Sequence, residues 1–357
     1  FFMPGELDNL SDLIVSNLQL SKGPKVVVIG GGTGLSVMLR GLKAKTYNLT
    51  AVVTVADDGG STGRIRQDLD IIAPGDLRNC LVALADKEGL MEKLFAHRFG
   101  GSGNLTGHSF GNLFIAALIE VLGDVEEAMD ATSKVLRVRG KVIPSSAEKL
   151  RLNAEMTDGR IVEGESQIPH AHGKIKRVFT TPEHPRAIQS AVDAIREADA
   201  IVLGPGSLYT SIMPNLCVPD IVQAVRTSKA PKIYICNVMT QPGETDDYTV
   251  SDHIRAINRQ AGGKVIDFVI ANNGDVDPAV LQRYVAHGSH PVMIDKKEVS
   301  QTGATLILSN LINKENSATH DTKKLANVLF DLINALRTDL SPELLHYYLK
   351  RYTFNHR

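Results

Sequence analysis

The sequence predicts an α/β fold, a mostly parallel sheet carrying an antiparallel hairpin insertion, and three observations carry that prediction. The stretch 25–43, KVVVIGGGTGLSVMLRGLK, reads as a buried strand that runs straight into a glycine turn and then a helix. The same alternation of strand, loop and helix returns several times further along the chain. Between 141 and 181 it is interrupted by a segment patterned with a period of two.

The first strand, 25–29, supplies three consecutive valines and Ile29, a β-branched run suited to a parallel strand covered on both faces. Gly30, Gly31, Gly32 and Gly34 then leave no side chain between backbone and ligand. Leu35, Met38, Leu39 and Leu42 recur at i, i+3, i+4 and i+7, so an amphipathic helix begins at Thr33 and Gly34. Its exposed N–H groups and dipole favour an anion, most often a phosphate. Gly31, Gly32, Thr33 and Gly34 are therefore candidate ligand-binding residues. The dinucleotide fingerprint G-x-G-x-x-G places its third glycine where Leu35 stands, which weakens an NAD reading. A tight strand-to-helix turn with no ligand is the simpler alternative.

The second strand, 49–55, ends in Asp57-Asp58-Gly59-Gly60-Ser61-Thr62-Gly63-Arg64. Asp57 lies about where a Rossmann protein keeps its ribose-binding acid, roughly 20 residues past the glycines. Two adjacent acids, a second glycine loop, Arg64 and Arg66 exceed what ribose binding needs. Asp57 and Asp58 are candidates to hold a magnesium ion or to bind a sugar or heterocycle, and Ser61, Thr62 and Arg64 to meet phosphate oxygens. A turn capped by Asp57 is the plain alternative. Residues 74–79, PGDLRN, open a helix with Leu77, Leu81 and Leu84 on one face and Asp76 as its cap. Residues 100–112, GGSGNLTGHSFGN, lead into another helix with His108, Ser109 and Asn112 near its start. These form a third loop suited to a ligand, with a structural role for His108 as the alternative.

Residues 150–168 alternate around Thr157-Asp158-Gly159-Arg160, which predicts a β-hairpin with an Asp-Gly turn, placed as an insertion of about 141–181 on the main sheet. His170 and His172 would share one face of an extended segment, but no third ligand lies nearby and no metal site is assigned. The alternation resumes with a helix at 187–198 and a strand at 200–203, followed by a loop with Gly204, Gly206 and Ser207. Strand 232–236 ends in Asn237, and strand 265–270 ends near Asn272. Ligands of open α/β sheets bind outside the carboxyl ends of the strands, so these loops should converge on the turn after Ile29. Asn237 and Asn272 carry paired donor and acceptor groups able to read a base or carbonyl, or else form turns. In the tail, Asp321 or Thr322 caps a helix with the stripe Leu325, Val328, Leu329, Leu332, Ile333 and Leu336. A further amphipathic segment lies at 344–348.

The 357 residues are 43% hydrophobic and 22% charged, as expected of a soluble globular protein with one large or two modest cores. A net charge of −1 gives no nucleic-acid signal. No apolar run approaches a membrane span. Cys80, Cys217 and Cys236 have no C-x-x-C spacing, which suits a reducing cytoplasm. Residues 1–24 lack the basic start of a secretory signal and are read as a leader or peripheral helix. Residues 25–340 then form one α/β domain and 341–357 a helical tail.

GGGTG, ADDGGSTGR, PGDLRNCL, GHSFGN, LGPGSLYTSI, NVMTQPGET and HDTKK occur in this order and spacing. Together they resemble the bacterial gluconeogenesis factor family, also called YvcK-like, over about residues 25–336. That family is similar in fold to the CofD-like 2-phospho-L-lactate transferases of deazaflavin cofactor biosynthesis. The resemblance implies a three-layer αβα Rossmann-like domain, a cytoplasmic location and a role in growth on gluconeogenic carbon sources, cell shape and wall synthesis. It also implies a nucleotide-sugar ligand, a UDP-sugar such as UDP-N-acetylglucosamine, with no cofactor assigned beyond that magnesium ion. One departure is Thr319, which stands where members often carry a basic residue before the His-Asp-Thr triplet. Candidate partners are the UDP-sugar, a protein of cell-wall or carbon metabolism, a Ser/Thr kinase acting on Thr322 as a regulatory site, and a second copy in a homodimer. Nucleic acid and membrane are not expected. No nucleophile stands beside an obvious base, so no catalytic residue is assigned. A ligand-binding regulator is preferred, and a phospho-lactyl transferase is the alternative.

Overall fold

The computed structural model describes residues 15, 17–86, 89–313 and 317–338. The strands are β1 (Val26–Gly30), β2 (Leu49–Val53), β3 (Lys141–Pro144), β4 (Arg151–Met156), β5 (Ile161–Glu163), β6 (Ile175–Thr181), β7 (Ala200–Leu203), β8 (Lys232–Ile235), β9 (Phe268–Asn272) and β10 (Thr305–Ser309). The helices are α1 (Gly32–Leu42), α2 (Gly60–Leu69), α3 (Gly75–Leu84), α4 (Leu90–Ala96), α5 (Phe110–Leu122), α6 (Val125–Leu136), α7 (Gln189–Arg196), α8 (Pro219–Thr227), α9 (Val250–Gln260), α10 (Pro278–Ala286), α11 (Lys296–Gln301) and α12 (Thr322–Arg337).

Seven strands form one parallel sheet in the order β10-β9-β8-β7-β1-β2-β3. β1 sits inside it because every residue from Val26 to Gly30 is buried, with β2 on one side and β7 on the other. The chain steps outward from β1 to β2 and β3, then returns to lay β7, β8, β9 and β10 on the opposite side. The strand order therefore reverses between β1 and β7, the switch point at which an open α/β sheet leaves a crevice. Helices flank the sheet, and α1 buries Leu35, Met38, Leu39 and Leu42 while packing against α3 and α12.

The insertion is narrower and more independent than the sequence suggests. Lys141–Pro144 pairs parallel with β2 as the edge of the main sheet, because Val142, Ile143 and Pro144 are buried there. The hairpin forms around the expected turn, but β4, β5 and β6 make a separate antiparallel sheet in the order β5-β4-β6. Glu165–His170 is a 3₁₀ turn and not an extended segment, and His172 takes φ 47°, so His170 and His172 do not share a strand face. The cause is Asp58, whose Oδ2 and Oδ1 accept hydrogen bonds from the Glu165 N–H at 3.0 Å and the Ser166 N–H at 2.9 Å.

Two strand readings also change. Residues 265–267 precede β9 because the Val265 and Ile266 amides donate to Asn258 Oδ1 instead of a ladder. β10, absent from the sequence reading, pairs parallel with β9. Asp321, not Thr322, caps α12, accepting from the Lys323 and Lys324 amides at 2.9 Å. The stripe of Leu325, Val328, Leu329, Leu332 and Ile333 is buried as expected. Residues 17–21 are helical, whereas most of the expected leader and the tail from 339, with its segment at 344–348, lie outside the described residues. Among the described residues no helix is long and apolar enough to cross a membrane.

Asp58→Asn removes the charge from two hydrogen bonds of the kind worth about 1.5–3 kcal/mol each. The expected outcome is a loss of about 1–3 kcal/mol in stability and faster amide exchange at Glu165 and Ser166, with exchange in α1 unchanged. Unaltered exchange at those two amides would show that Asp58 does not hold the turn.

Candidate functional site

The turn after β1 is built so that backbone meets backbone. Gly32 has φ 69°, a left-handed conformation open to glycine and strained for a β-branched residue. A Cβ on Gly34 would lie 2.9 Å from the Pro205 carbonyl oxygen, so α1 starts hard against the loop after β7. Gly31, the N-cap of α1, offers no side chain to its first-turn amides. Asn215 Nδ2, fully buried, donates to the Gly30 carbonyl at 3.1 Å and to the Ser211 carbonyl at 3.0 Å, which fixes the two loops together.

These loops form the floor of a cavity of about 860 Å³. Gly31, Gly32, Thr33 and Gly34 line it after β1, Gly206 and Ser207 after β7, and Asn237 after β8, as the expected convergence of strand ends requires. The polar side chains brace one another: Asn237 Nδ2 donates to the Gly206 carbonyl at 3.0 Å, and Gln241 Nε2 to Ser207 Oγ at 2.5 Å. Asp76 and Asn79 of α3 close one side, joined by Glu165 from the insertion. Val238, Met239 and Ala318 close the other with Tyr284, part of a small apolar cluster apart from the main core. His287, Ser289, Thr319 and His320 also line it.

The remaining candidates from the sequence sit elsewhere. Asp58 clamps the insertion. Asp57 Oδ1 accepts from the Gly59 N–H at 2.9 Å, and its carboxylate stands behind Gly75, next to Asp76. Ser61, His108, Ser109 and Asn112 bond one another in a buried knot: His108 Nδ1 lies 3.3 Å from Ser61 Oγ, to which Asn112 Nδ2 donates, and Ser109 Oγ accepts from Arg78 at 2.6 Å. Thr62 backs Gly75, and Arg64 donates to the Thr106 carbonyl. Gly204 is the first residue after β7 and does not line the cavity. Asn272 forms a turn, binding both backbone groups of Gly274 and accepting from the Leu311 N–H. Thr322 lies half-buried against Gly41 of α1.

Asp76 is not the helix cap that its place in PGDLRN predicts. Pro74 holds that position without a side-chain bond, and the Asp76 carboxyl accepts the Gly32 N–H. The signal was present in PGDLRN, but capping explained it equally well. Glu165 and Tyr284 carry no signal in the sequence, since their approach to the cavity depends on the tertiary path of the insertion and of α10, whereas Gln241 and His320 stand inside the motifs NVMTQPGET and HDTKK.

Burial, then the neighbouring Asp57, pushes Asp76 up to about 7. Burial, then Asp57 and Asp58, pushes Glu165 up to about 8. His320 is driven down to about 4 by burial, so its ring is neutral near pH 7, held at the Cys236 carbonyl beyond β8. No lysine or arginine is among the described residues lining the cavity, so an anion there would rest on backbone N–H groups, the α1 dipole and neutral side chains. Among the described residues no three His, Cys, Asp or Glu side chains are grouped to hold a metal ion.

The family described as 2-phospho-L-lactate transferase CofD matches residues 26–312. The Gluconeogenesis factor of Bacillus subtilis is 50% identical over 315 residues, 88% of this chain and 99% of that one. The chain belongs to the CofD-like gluconeogenesis factor family. A second Gluconeogenesis factor, from Halalkalibacterium halodurans, is 48% identical over 311 residues, 87% of this chain and 97% of its own. A crystal structure of a Bacillus halodurans protein superposes with a TM-score of 0.84 at 48% identity, covering 86% of this chain and 99% of that one. The CofD match takes in the cavity's floor, its polar side and most of its apolar side, but ends before Ala318, Thr319 and His320. Thr319 faces the cavity.

The raised Asp76 carboxyl gives a pH signature whose sign is fixed. Its affinity for a proton is higher in the folded chain, so its contribution to stability is full below its ordinary value near 3.8 and is lost as pH rises through about 7. Asp76→Asn, which keeps an acceptor for the Gly32 N–H, should gain on the wild type as pH rises from 5 to 8, by on the order of 3 kcal/mol. Thermal melts at the two pH values check it, and an equal difference at both would show that Asp76 titrates normally.

Proposed function

We propose that this chain is a ligand-binding regulator that holds a nucleotide-sugar, a UDP-sugar such as UDP-N-acetylglucosamine, and acts on a protein of cell-wall or carbon metabolism. Its place would be in the cytoplasm, in growth and morphogenesis on gluconeogenic carbon sources. One observation carries the ligand class: the crevice at the β1/β7 switch joins a helix N-terminus, where the N-cap Gly31 offers no side chain, to a cavity with a polar side and an apolar side. A diphosphate suits the first, and the two unlike sides suit a base and a sugar. The naming of relatives about half identical over nearly their whole length as gluconeogenesis factors supports the link to gluconeogenic growth.

The CofD description supports a second reading, a transferase moving a phospho-lactyl group from a guanosine diphosphate carrier to a deazaflavin. Magnesium enters either reading as the counter-ion of the diphosphate. Control by a Ser/Thr kinase at Thr322 belongs to the first. Asp321 already takes the amides at the start of α12, so a phosphate on Thr322 would add a second anion there and loosen the cap. A homodimer is compatible with both readings.

Calorimetry with UDP, UDP-N-acetylglucosamine, GDP and NAD separates the readings. Binding of UDP-N-acetylglucosamine, in about the micromolar range, is expected. Gly32→Val, strained at φ 69° and 3.3 Å from Ser211 Oγ, should weaken it at least about tenfold and lower the melting temperature. Binding of GDP and a deazaflavin with none of UDP-sugars would favour the transferase. For regulation, Thr322→Ala and Thr322→Glu should bind the ligand alike but differ in restoring cell shape on gluconeogenic carbon, and equal rescue would remove Thr322 from control.

A further inference from the structure

The strand order β8-β7-β1-β2 sets unlike groups of the cavity on either side of the glycine turn. Asp76 adjoins the glycine turn through the Gly32 N–H. Next to the turn come Gly206 and Ser207, then Asn237 and Gln241, which bond them. Thr240, whose carbonyl accepts from Ser289 Oγ at 2.6 Å, belongs to the loop after β8, and Val238, Met239 and Tyr284 form an apolar group on that side. A nucleotide-sugar is a row, with the diphosphate between base and sugar. With the diphosphate at the turn, a flat heterocycle fits the Tyr284 end, and the sugar falls beside Asp76, Asn79 and Glu165.

We propose that Glu165, with Asp76, is the specificity-determining pair that reads the sugar hydroxyls, and that the β4–β6 insertion is the arm that sets which sugar is held. This rests on the nucleotide-sugar reading given above. Carboxyl groups suit the task because a sugar presents adjacent hydroxyls, each a donor, and a carboxyl offers two acceptor oxygens in one plane. Among the described residues, the end occupied by Glu165 and Asp76 carries no aromatic face for a base.

Glu165 is placed by construction. Its N–H is held by Asp58 Oδ2, the Ser166 N–H by Asp58 Oδ1, and the Gly164 N–H by the Leu152 carbonyl of β4 at 2.8 Å. A Cβ on Gly164 would stand 2.7 Å from Asp58 Oδ2, so the chain passes the clamp only as glycine. The position of one side chain in the cavity thus follows from the path of a whole small sheet. With Asp76 pushed up to about 7 and Glu165 to about 8, each by burial first, these carboxyls hold protons around neutrality and can donate as well as accept.

Calorimetry with UDP and with UDP-N-acetylglucosamine on the wild type, Glu165→Gln and Glu165→Ala tests it, with thermal melts to confirm folding. The wild type should bind the sugar nucleotide at least about tenfold tighter than UDP. Glu165→Ala should lose that advantage while its affinity for UDP stays within about twofold, and Glu165→Gln should keep part of it. Asp58→Asn, which frees the turn, should reduce the advantage as well. If the wild type binds both ligands equally, or if Glu165→Ala keeps the advantage, the sugar assignment is overturned and the ligand class stands. If the wild type binds neither, the ligand class fails and the sugar assignment with it.

Discussion

Between the ends of β1 and β7 two backbones meet with no side chain between them. Gly34 stands against the Pro205 carbonyl and Gly206 against the Gly31 carbonyl, and Asn215 ties the Gly30 carbonyl to the same loop from inside the core. This contact sets where α1 begins, which way its first amides point, and how far the loop after β8 can approach. Any side chain at Gly34 would push α1 away from the sheet's switch point and open the floor of the cavity. The main core, buried along β1, β7 and α1, is what holds the two backbones at that distance.

The surrounding polar groups follow from that close approach. With glycines on the floor, the cavity takes its chemistry from its sides: carboxyls from α3 and the insertion at one end, and Tyr284 with its small apolar cluster at the other. Keeping Asp76 and Glu165 buried near Asp57 opposes folding at neutral pH, since each must hold a proton well above its ordinary range. A fold under selection for stability alone would not place them there, which supports a role in binding.

The parallel sheet and the turn were legible because their signals are local: a run of valines, the four glycines of the turn and a helical stripe within 25–43 describe one βα unit completely. β10 was missed because a short apolar run, Thr305–Ser309, does not announce which sheet it joins. The loop residues divide for a different reason. Ser61, His108, Ser109 and Asn112 have the composition of a ligand loop, yet they bond one another in a buried knot in which, of the four, only Asn112 leaves a buried atom, Oδ1, without a partner, and the residue types that bind a ligand are those that make up a buried polar cluster. Asp58 was recognised as unusual and its role misjudged, because its partners, the Glu165 and Ser166 amides, lie 107 and 108 residues away in the chain. Glu165 itself was invisible for the same reason.

The central claim is that the crevice between β1 and β7 holds a diphosphate on backbone N–H groups. A crystal structure of the chain with UDP-N-acetylglucosamine tests it most directly. The account predicts both phosphates within hydrogen-bond distance of amides in the segments Gly32–Gly34 and Gly206–Leu208, the uracil beside Tyr284 and the sugar beside Glu165. Phosphates bound elsewhere, for example in the groove lined by Lys25, Asn48 and Lys141 at the opposite ends of the strands, would contradict it.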